Sequence, residues 1–336
     1  MNTSQALDKV AHATEVAMAR YPAMSANGAT LAFSGGKDSI ALASALAALG
    51  HRVRLRAVDM GYSRDWRRRI EQLAVALGQQ VEILVVADVM RNDLTEPGIR
   101  RDLALRRAFL DSPESAAPGI TPCTNCYNCK ILSLVDAARR DEPTILFAHH
   151  STDALSSFLK SAVMYIDRWD MGNHVFERAA FRATATAVAK ELRAGSERQL
   201  ERLVDLLCNG RAQTSEPPVE RRTLQGQSYI IGRPLFDLKE DATVALVKEL
   251  GLQAETSGCG HSEAAASRTP REIIHYELLP FIAETAGGRS ALEKLARHLT
   301  KSLNPDGTIP FDARESRHDL LGPAYKGGPE TLADRL

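Results

Sequence analysis

A chain of 336 residues is long enough to bury a large core, in one big domain or two. Charged residues make up 25%, with 42 lysines and arginines against 42 aspartates and glutamates; the resulting zero net charge does not suggest a protein that coats nucleic acid electrostatically, while leaving room for a local basic face. No run of 18 or more apolar residues occurs and Met1-Asn2-Thr3-Ser4-Gln5 lacks the charged and apolar regions of a signal peptide, so a cytoplasmic protein is expected, its five cysteines being reduced thiols, metal ligands or catalysts.

In chain order, residues 5–20 place Leu7, Val10, Ala11, Ala17 and Met18 at helical spacing, which predicts a lead-in helix. Ala26-Asn27-Gly28 reads as a loop feeding a short buried strand, Thr30-Leu31-Ala32-Phe33. The alanine- and leucine-rich run from Ile40 to Leu49, closed by Gly50, predicts a helix. A second strand is expected over 53–59, a helix over 65–78, a third strand over 81–86, a helix over 126–140 and a fourth strand over 144–148. Residues 88–122 are polar, with Pro97-Gly98 and Pro118-Gly119, and read as a long, partly helical excursion over the site. Residues 165–209 are helical in pattern and 213–218 form a loop. Ser228-Tyr229-Ile230-Ile231 is a fifth strand leading to Arg233-Pro234-Leu235, with helices near 240–250 and 270–286 and an irregular tail from Asn304.

Strands alternating with helices predict the α/β class: a parallel, twisted sheet with right-handed crossovers and helices on both faces, plus a helical C-terminal region. Ligands of such sheets sit beyond the strand C-termini. The turn at that end of the first strand is Ser34-Gly35-Gly36-Lys37-Asp38-Ser39, followed at once by a helix. Two glycines let the backbone bend and approach a ligand. The free N–H groups and dipole of the helix start favour an anion. Lys37 adds a point charge for phosphate, Asp38 can hold Mg²⁺ carried by that phosphate, and Ser34 and Ser39 add hydroxyl donors. The spacing is not that of a Walker A loop, which needs four residues between its glycine and Gly-Lys.

Further chemistry-bearing residues follow. Asp59 ends the second strand, where a carboxylate either binds a ribose hydroxyl or Mg²⁺ or simply caps the strand. Ala148-His149-His150-Ser151-Thr152-Asp153 ends the fourth strand and opens a helix, setting two imidazoles and a carboxylate beside the expected nucleotide; metal binding by the histidine pair alone is disfavoured because adjacent residues point apart. Cys123, Cys126 and Cys129 form a C-x-x-C-x-x-C run at a helix start, where the dipole and Lys130 favour thiolates, a spacing suited to an iron–sulfur cluster or zinc. Cys259 stands between Gly258 and Gly260, whereas Cys208, in Leu206-Leu207-Cys208, reads as core.

The Ser34–Ser39 loop resembles the SGGxDS loop of the PP-loop superfamily, whose members split ATP between the α and β phosphates and adenylate a carbonyl or carboxylate oxygen. With the central C-x-x-C, His149-His150-x-x-Asp153, Arg233-Pro234-Leu235 and a late lone cysteine, the chain over roughly residues 25–290 resembles the tRNA 2-thiocytidine synthetase and related tRNA 2-thiolation enzymes. The resemblance implies an adenine nucleotide alpha hydrolase-like core binding ATP and Mg²⁺, and a 4Fe–4S cluster on Cys123, Cys126 and Cys259 whose fourth iron can hold a sulfide. The chain departs from that family in its extra Cys129, a fourth ligand or a persulfide carrier, in Ala148 where a glycine is usual, in a longer segment between Asp153 and Arg233, and in lacking the cysteine-rich zinc knuckles of the 2-thiouridine branch.

The expected organisation is a lead-in helix over 1–27, an ATP-binding core with the cysteine excursion over 28–164, a helical insertion over 165–220, completion of the core over 221–300 and a tail over 301–336. The expected function is ATP-dependent thiolation of a nucleobase carbonyl, with Asp38, Cys129 and Cys259 in catalytic roles. The substrate is a tRNA base or, alternatively, a free nucleotide; the sulfur donor is a cysteine desulfurase or sulfide, and a homodimer is the expected assembly. Arg64, Arg67, Arg68, Arg69, Arg100, Arg101, Arg106 and Arg107 can bind tRNA phosphates or form solvated helix faces. The rival classes are a PP-loop ligase or amidotransferase that adds nitrogen and carries structural zinc, and a non-catalytic iron–sulfur or nucleotide sensor.

Overall fold

The computed structural model describes residues 4–24, 28–60, 64–86, 126–138, 144–156, 217–224, 227–255 and 279–286, with single positions at 186, 190, 193, 291, 292, 294 and 295. The expectations for 88–122, for Cys123, Cys208 and Cys259, for most of 165–209 and for the tail lie outside these residues.

The sheet has six strands in the order β3-β2-β1-β4-β6-β5. These are β1 (Thr30–Ala32), β2 (Arg54–Asp59), β3 (Val81–Val85), β4 (Thr144–Leu146), β5 (Val219–Leu224) and β6 (Gln227–Gly232). All neighbours run parallel except β5 against β6. The helices are α1 (Gln5–Arg20), α2 (Lys37–Ala48), α3 (Arg64–Ala76), α4 (Cys126–Ala138), α5 (Glu240–Glu249) and the short α6 (Leu279–Thr285). Among the described residues no helix is long and apolar enough to cross a membrane.

Helices cover both faces, as the alternating pattern predicts. On one face α1, α2 and α5 pack on one another, and their apolar residues share a core with Trp66, Ile70 and Leu73 of α3. α2 lies in the middle of this layer, so Ile40, Ala41, Leu42, Ala43, Ala45 and Leu46 are all fully buried. A helix apolar on nearly every side, as this sequence is, has to be enclosed. On the other face α4 buries Ile131, Leu134, Val135 and Ala138 against Val58, Ile145, Phe147 and Ile231. α4 precedes β4 in the chain.

Beyond the sequence reading, the structure shows where α2 starts, how α1, over the expected residues 5–20, packs, and one further strand. α2 begins at Lys37, three residues before the apolar run at Ile40, because the turn residues Lys37, Asp38 and Ser39 already adopt helical geometry. α1 is part of the core through buried Ala6, Val10 and Thr14, with Ser4 capping it by accepting from the Leu7 N–H at 3.1 Å. β5 is a strand that the pattern did not announce. Its Val219-Glu220-Arg221-Arg222-Thr223-Leu224 is too charged to read as one, yet it pairs along its whole length with β6, from Val219 opposite Gly232 to Leu224 opposite Gln227. A charged strand suits a sheet edge. Glu220 tolerates burial there because Arg233, wholly buried, donates to its carboxylate at 3.2 Å and to the Pro217 carbonyl at 2.6 Å.

Candidate functional site

From β1 the chain winds one way to β2 and β3, and later returns to the other side as β4 and β6. The crevice between β1 and β4 is therefore the point where the winding reverses, the place where open α/β sheets bind ligands. Residues 34–39 leave the end of β1, 147–153 leave the end of β4 and 233–238 leave the end of β6.

The loop at β1 is braced from several sides. Gly35 has φ +75°, and a Cβ there would run into Ile70 of α3 and crowd Leu73 and the Glu255 side chain. The Glu255 N–H donates to the Gly35 carbonyl at 2.8 Å, and the Glu255 carboxylate is paired with Arg69. Gly36 caps α2; its N–H donates to Ser34 Oγ at 3.2 Å. Ser39 Oγ donates to the Gly36 carbonyl at 2.9 Å and lies 3.3 Å from Ser34 Oγ. Since the Ser39 proton is taken, Ser34 is the donor in that contact, and both hydroxyls brace the turn. The first turn of α2 still carries N–H groups without helical partners, at the positive end of the dipole.

Asp38 and His150 meet across the crevice. His150 Nε2 is 3.0 Å from Asp38 Oδ1, and its Nδ1 is 2.8 Å from the Leu238 carbonyl. A carbonyl and a carboxylate only accept, so both ring nitrogens carry protons and His150 is an imidazolium. Burial opposes that charge, but the bond to Asp38, its negative charge and the Leu238 carbonyl together raise the His150 pKa above its ordinary value. For Asp38, burial pushes upward, and is outweighed by His150 and then Lys37, which hold the carboxyl well below the usual carboxylate range. Lys37 Nζ donates to Asp38 Oδ1 at 2.8 Å and Oδ2 at 2.7 Å, and is 3.6 Å from Glu240 Oε2. Burial lowers the Lys37 pKa less than the adjacent Asp38, Glu240 and Asp153 raise it. Thr243, from α5, has its hydroxyl 2.6 Å from Asp38 Oδ1.

Other predicted residues are placed differently. Asp153 accepts from the His150 N–H at 3.0 Å, capping the helical turn over 151–156, whose Ser151 N–H also donates to the Phe236 carbonyl at 2.9 Å. His149 points away from His150 and lies against Phe147, ring centroids 5.3 Å apart. Asp59 is 1% exposed and paired with Arg67. Of the neighbouring arginines, Arg69 holds Glu255 and Arg68 makes an exposed pair with Asp65 at 3.1 Å. Arg67, Arg68 and Arg69 are thus engaged with this chain's own carboxylates, while Arg100, Arg101, Arg106 and Arg107 lie outside the described residues. Cys126 and Cys129 lie on the first turn of α4. Cys123 and Cys259 are outside the described residues, among which no group of three His, Cys, Asp or Glu is placed to hold a metal ion.

Thr243, Glu240, Leu238 and Glu255 were not singled out in the sequence. Lys239-Glu240-Asp241 reads as an ordinary acidic helix start, and Thr243 bonds to a residue 205 positions away. Glu240 accepts from Thr152 Oγ1 at 2.7 Å, joining the two helix starts beside Lys37.

No protein-family model matches this chain, and no curated relative matches it. Among solved structures, an NMN synthetase from Francisella tularensis is similar over 93% of this chain and 100% of its own, with 13% identity and a TM-score of 0.43.

Proposed function

We propose that this protein is an ATP-dependent sulfurtransferase of PP-loop type that thiolates a nucleobase carbonyl, with a tRNA base as substrate. The observation that carries the reading is the Gly35-Gly36 turn at the switch point, which brings Lys37, Asp38 and the imidazolium of His150 together at the start of α2. A helix start with an adjacent lysine is suited to polyphosphate. The substrate is ATP with its Mg²⁺, the phosphates lying along residues 34–39.

The nucleobase oxygen attacks the α-phosphorus and pyrophosphate leaves, so the oxygen becomes part of a good leaving group. Free sulfide then attacks the carbon; AMP departs with the oxygen and loss of the sulfur proton leaves C=S. No electron is gained or lost. Lys37 and the helix N–H groups neutralise charge that grows on the phosphates, the largest contribution expected from this chain. The ligand set that the family resemblance implies is Cys123, Cys126 and Cys259, of which Cys126 opens α4. A 4Fe–4S cluster on those thiolates would supply an open iron for sulfide, while zinc would be structural.

The test is to mix anaerobic protein, ATP, Mg²⁺ and sulfide with tRNA or nucleotides and follow AMP, pyrophosphate and substrate mass. The expected result is AMP formation with an oxygen-to-sulfur mass increase; AMP formation with ammonia incorporated would assign the amidotransferase class, and ATP binding without AMP the sensor class. A free nucleotide is the second reading, favoured by the engagement of Arg67 and Arg69 with Asp59 and Glu255. Steep loss of affinity with salt identifies tRNA, a shallow slope the nucleotide.

A further inference from the structure

We propose that Thr243 and His150 are positioning residues for Asp38, holding its Oδ1 so that Oδ2 and Lys37 form the part of the pair presented to a nucleotide's phosphate–magnesium group. The proposal rests on the ATP reading for its ligand, and on the observed contacts for its geometry.

Asp38 Oδ1 receives Thr243 Oγ1 at 2.6 Å and His150 Nε2 at 3.0 Å, besides Lys37. Among the described residues, Oδ2 receives Lys37 alone. Thr243 is wholly buried, and its single proton faces two acceptors: Asp38 and the Glu240 carbonyl at 2.9 Å. The nearer, charged acceptor takes it. His150 is itself held by the Leu238 carbonyl, so its ring cannot turn without breaking a buried bond.

These two donors differ in kind from Lys37. Lys37 sits on a flexible stem, and a phosphate that recruits its ammonium withdraws it from Asp38. Thr243 and His150 are buried on α5 and at the end of β4, 205 and 112 residues from Asp38 in the chain, and stay when Lys37 moves. They keep the carboxylate ionised and aimed once its neighbour is drawn away. The charged groups facing His150 are Asp38 from α2 and Asp153 from its own helical turn, with Lys37 and Glu240 bordering the pair.

Two measurements on the full chain test this. The first is NMR of the histidine ring N–H protons. Both His150 ring N–H protons are expected to be protected from solvent exchange, and the Nε2 proton to lose that protection in Asp38→Ala, where its acceptor is gone. An Nε2 proton unprotected in the wild type, or indifferent to Asp38→Ala, overturns the clamp. The second is pyrophosphate release from ATP. Thr243→Val keeps the packing and is expected to raise KM for MgATP about tenfold with kcat within about twofold, while Thr243→Ser restores KM. A Val variant with unchanged KM overturns the assignment of Thr243. If the wild-type protein forms no AMP under any condition, the ATP reading fails, and the ring-proton exchange still decides whether the clamp exists.

Discussion

Asp38 and Asp59 both follow parallel strands at the same edge of the sheet, and both face a basic side chain, yet their surroundings differ in what they leave open. Asp59 is sealed, 1% exposed, with Arg67 laid over it. Asp38 keeps 24% of its side chain exposed although Lys37, His150 and Thr243 all bond to it. Several donors from separate elements hold Asp38 in place while leaving it reachable. Asp59 is paired with the half-exposed Arg67 and is closed off from solvent. Buried charge is tolerated only with a partner; where the partner lies decides whether the carboxylate is left reachable to a ligand.

The contrast breaks most readily at Asp38. Asp38→Ala is expected to lower AMP and pyrophosphate formation about a thousandfold while a cooperative thermal transition persists at a lower temperature, since the buried His150 loses its carboxylate. Comparable AMP formation by the variant would remove Asp38 from the chemistry. Next in size is Gly35→Ala, which combines a positive φ with a methyl group driven into Ile70. A loss of about 3 kcal/mol in urea unfolding is expected. Arg67→Ala removes the arginine paired with the buried Asp59 carboxylate and is expected to cost about 2 kcal/mol, discounted because Arg67 is half-exposed. Arg68→Ala, removing an exposed pair with Asp65, should change stability by less than about 0.5 kcal/mol. Equal effects at Arg67 and Arg68 would show that Asp59 does not depend on its arginine.

The same contrast has a pH signature. The His150 pKa is raised in the folded protein, so its contribution to stability is complete below the ordinary histidine value and is lost as pH rises through the raised one. The Asp38 pKa is lowered, so its contribution is present above the ordinary carboxylate value and is lost as pH falls towards the depressed one. A thermal-unfolding series should therefore be highest between the ordinary carboxylate and histidine ranges, and Asp38→Asn should flatten both limbs. An alkaline limb that survives in Asp38→Asn would separate it from His150.

The α/β class, the parallel strands and the crevice were legible in the sequence because each rests on local pattern: apolar runs of strand length, helix formers between them, and glycines where a turn must bend. Ser34–Ser39 and His149–Asp153 were legible for the same reason, as turns between a strand and a helix. What each residue does there was decided by tertiary contact. Identical local signals make His150 a buried imidazolium and turn His149 against Phe147, because successive residues leave a strand end on opposite sides. The basic run Arg67-Arg68-Arg69 reads as one patch, but its side chains reach three different carboxylates, two of them buried and one on the surface. β5 and Thr243 carried no local signal at all. The strand is defined by its pairing with β6, and the threonine by a bond across 205 residues, so only the fold brings out their roles.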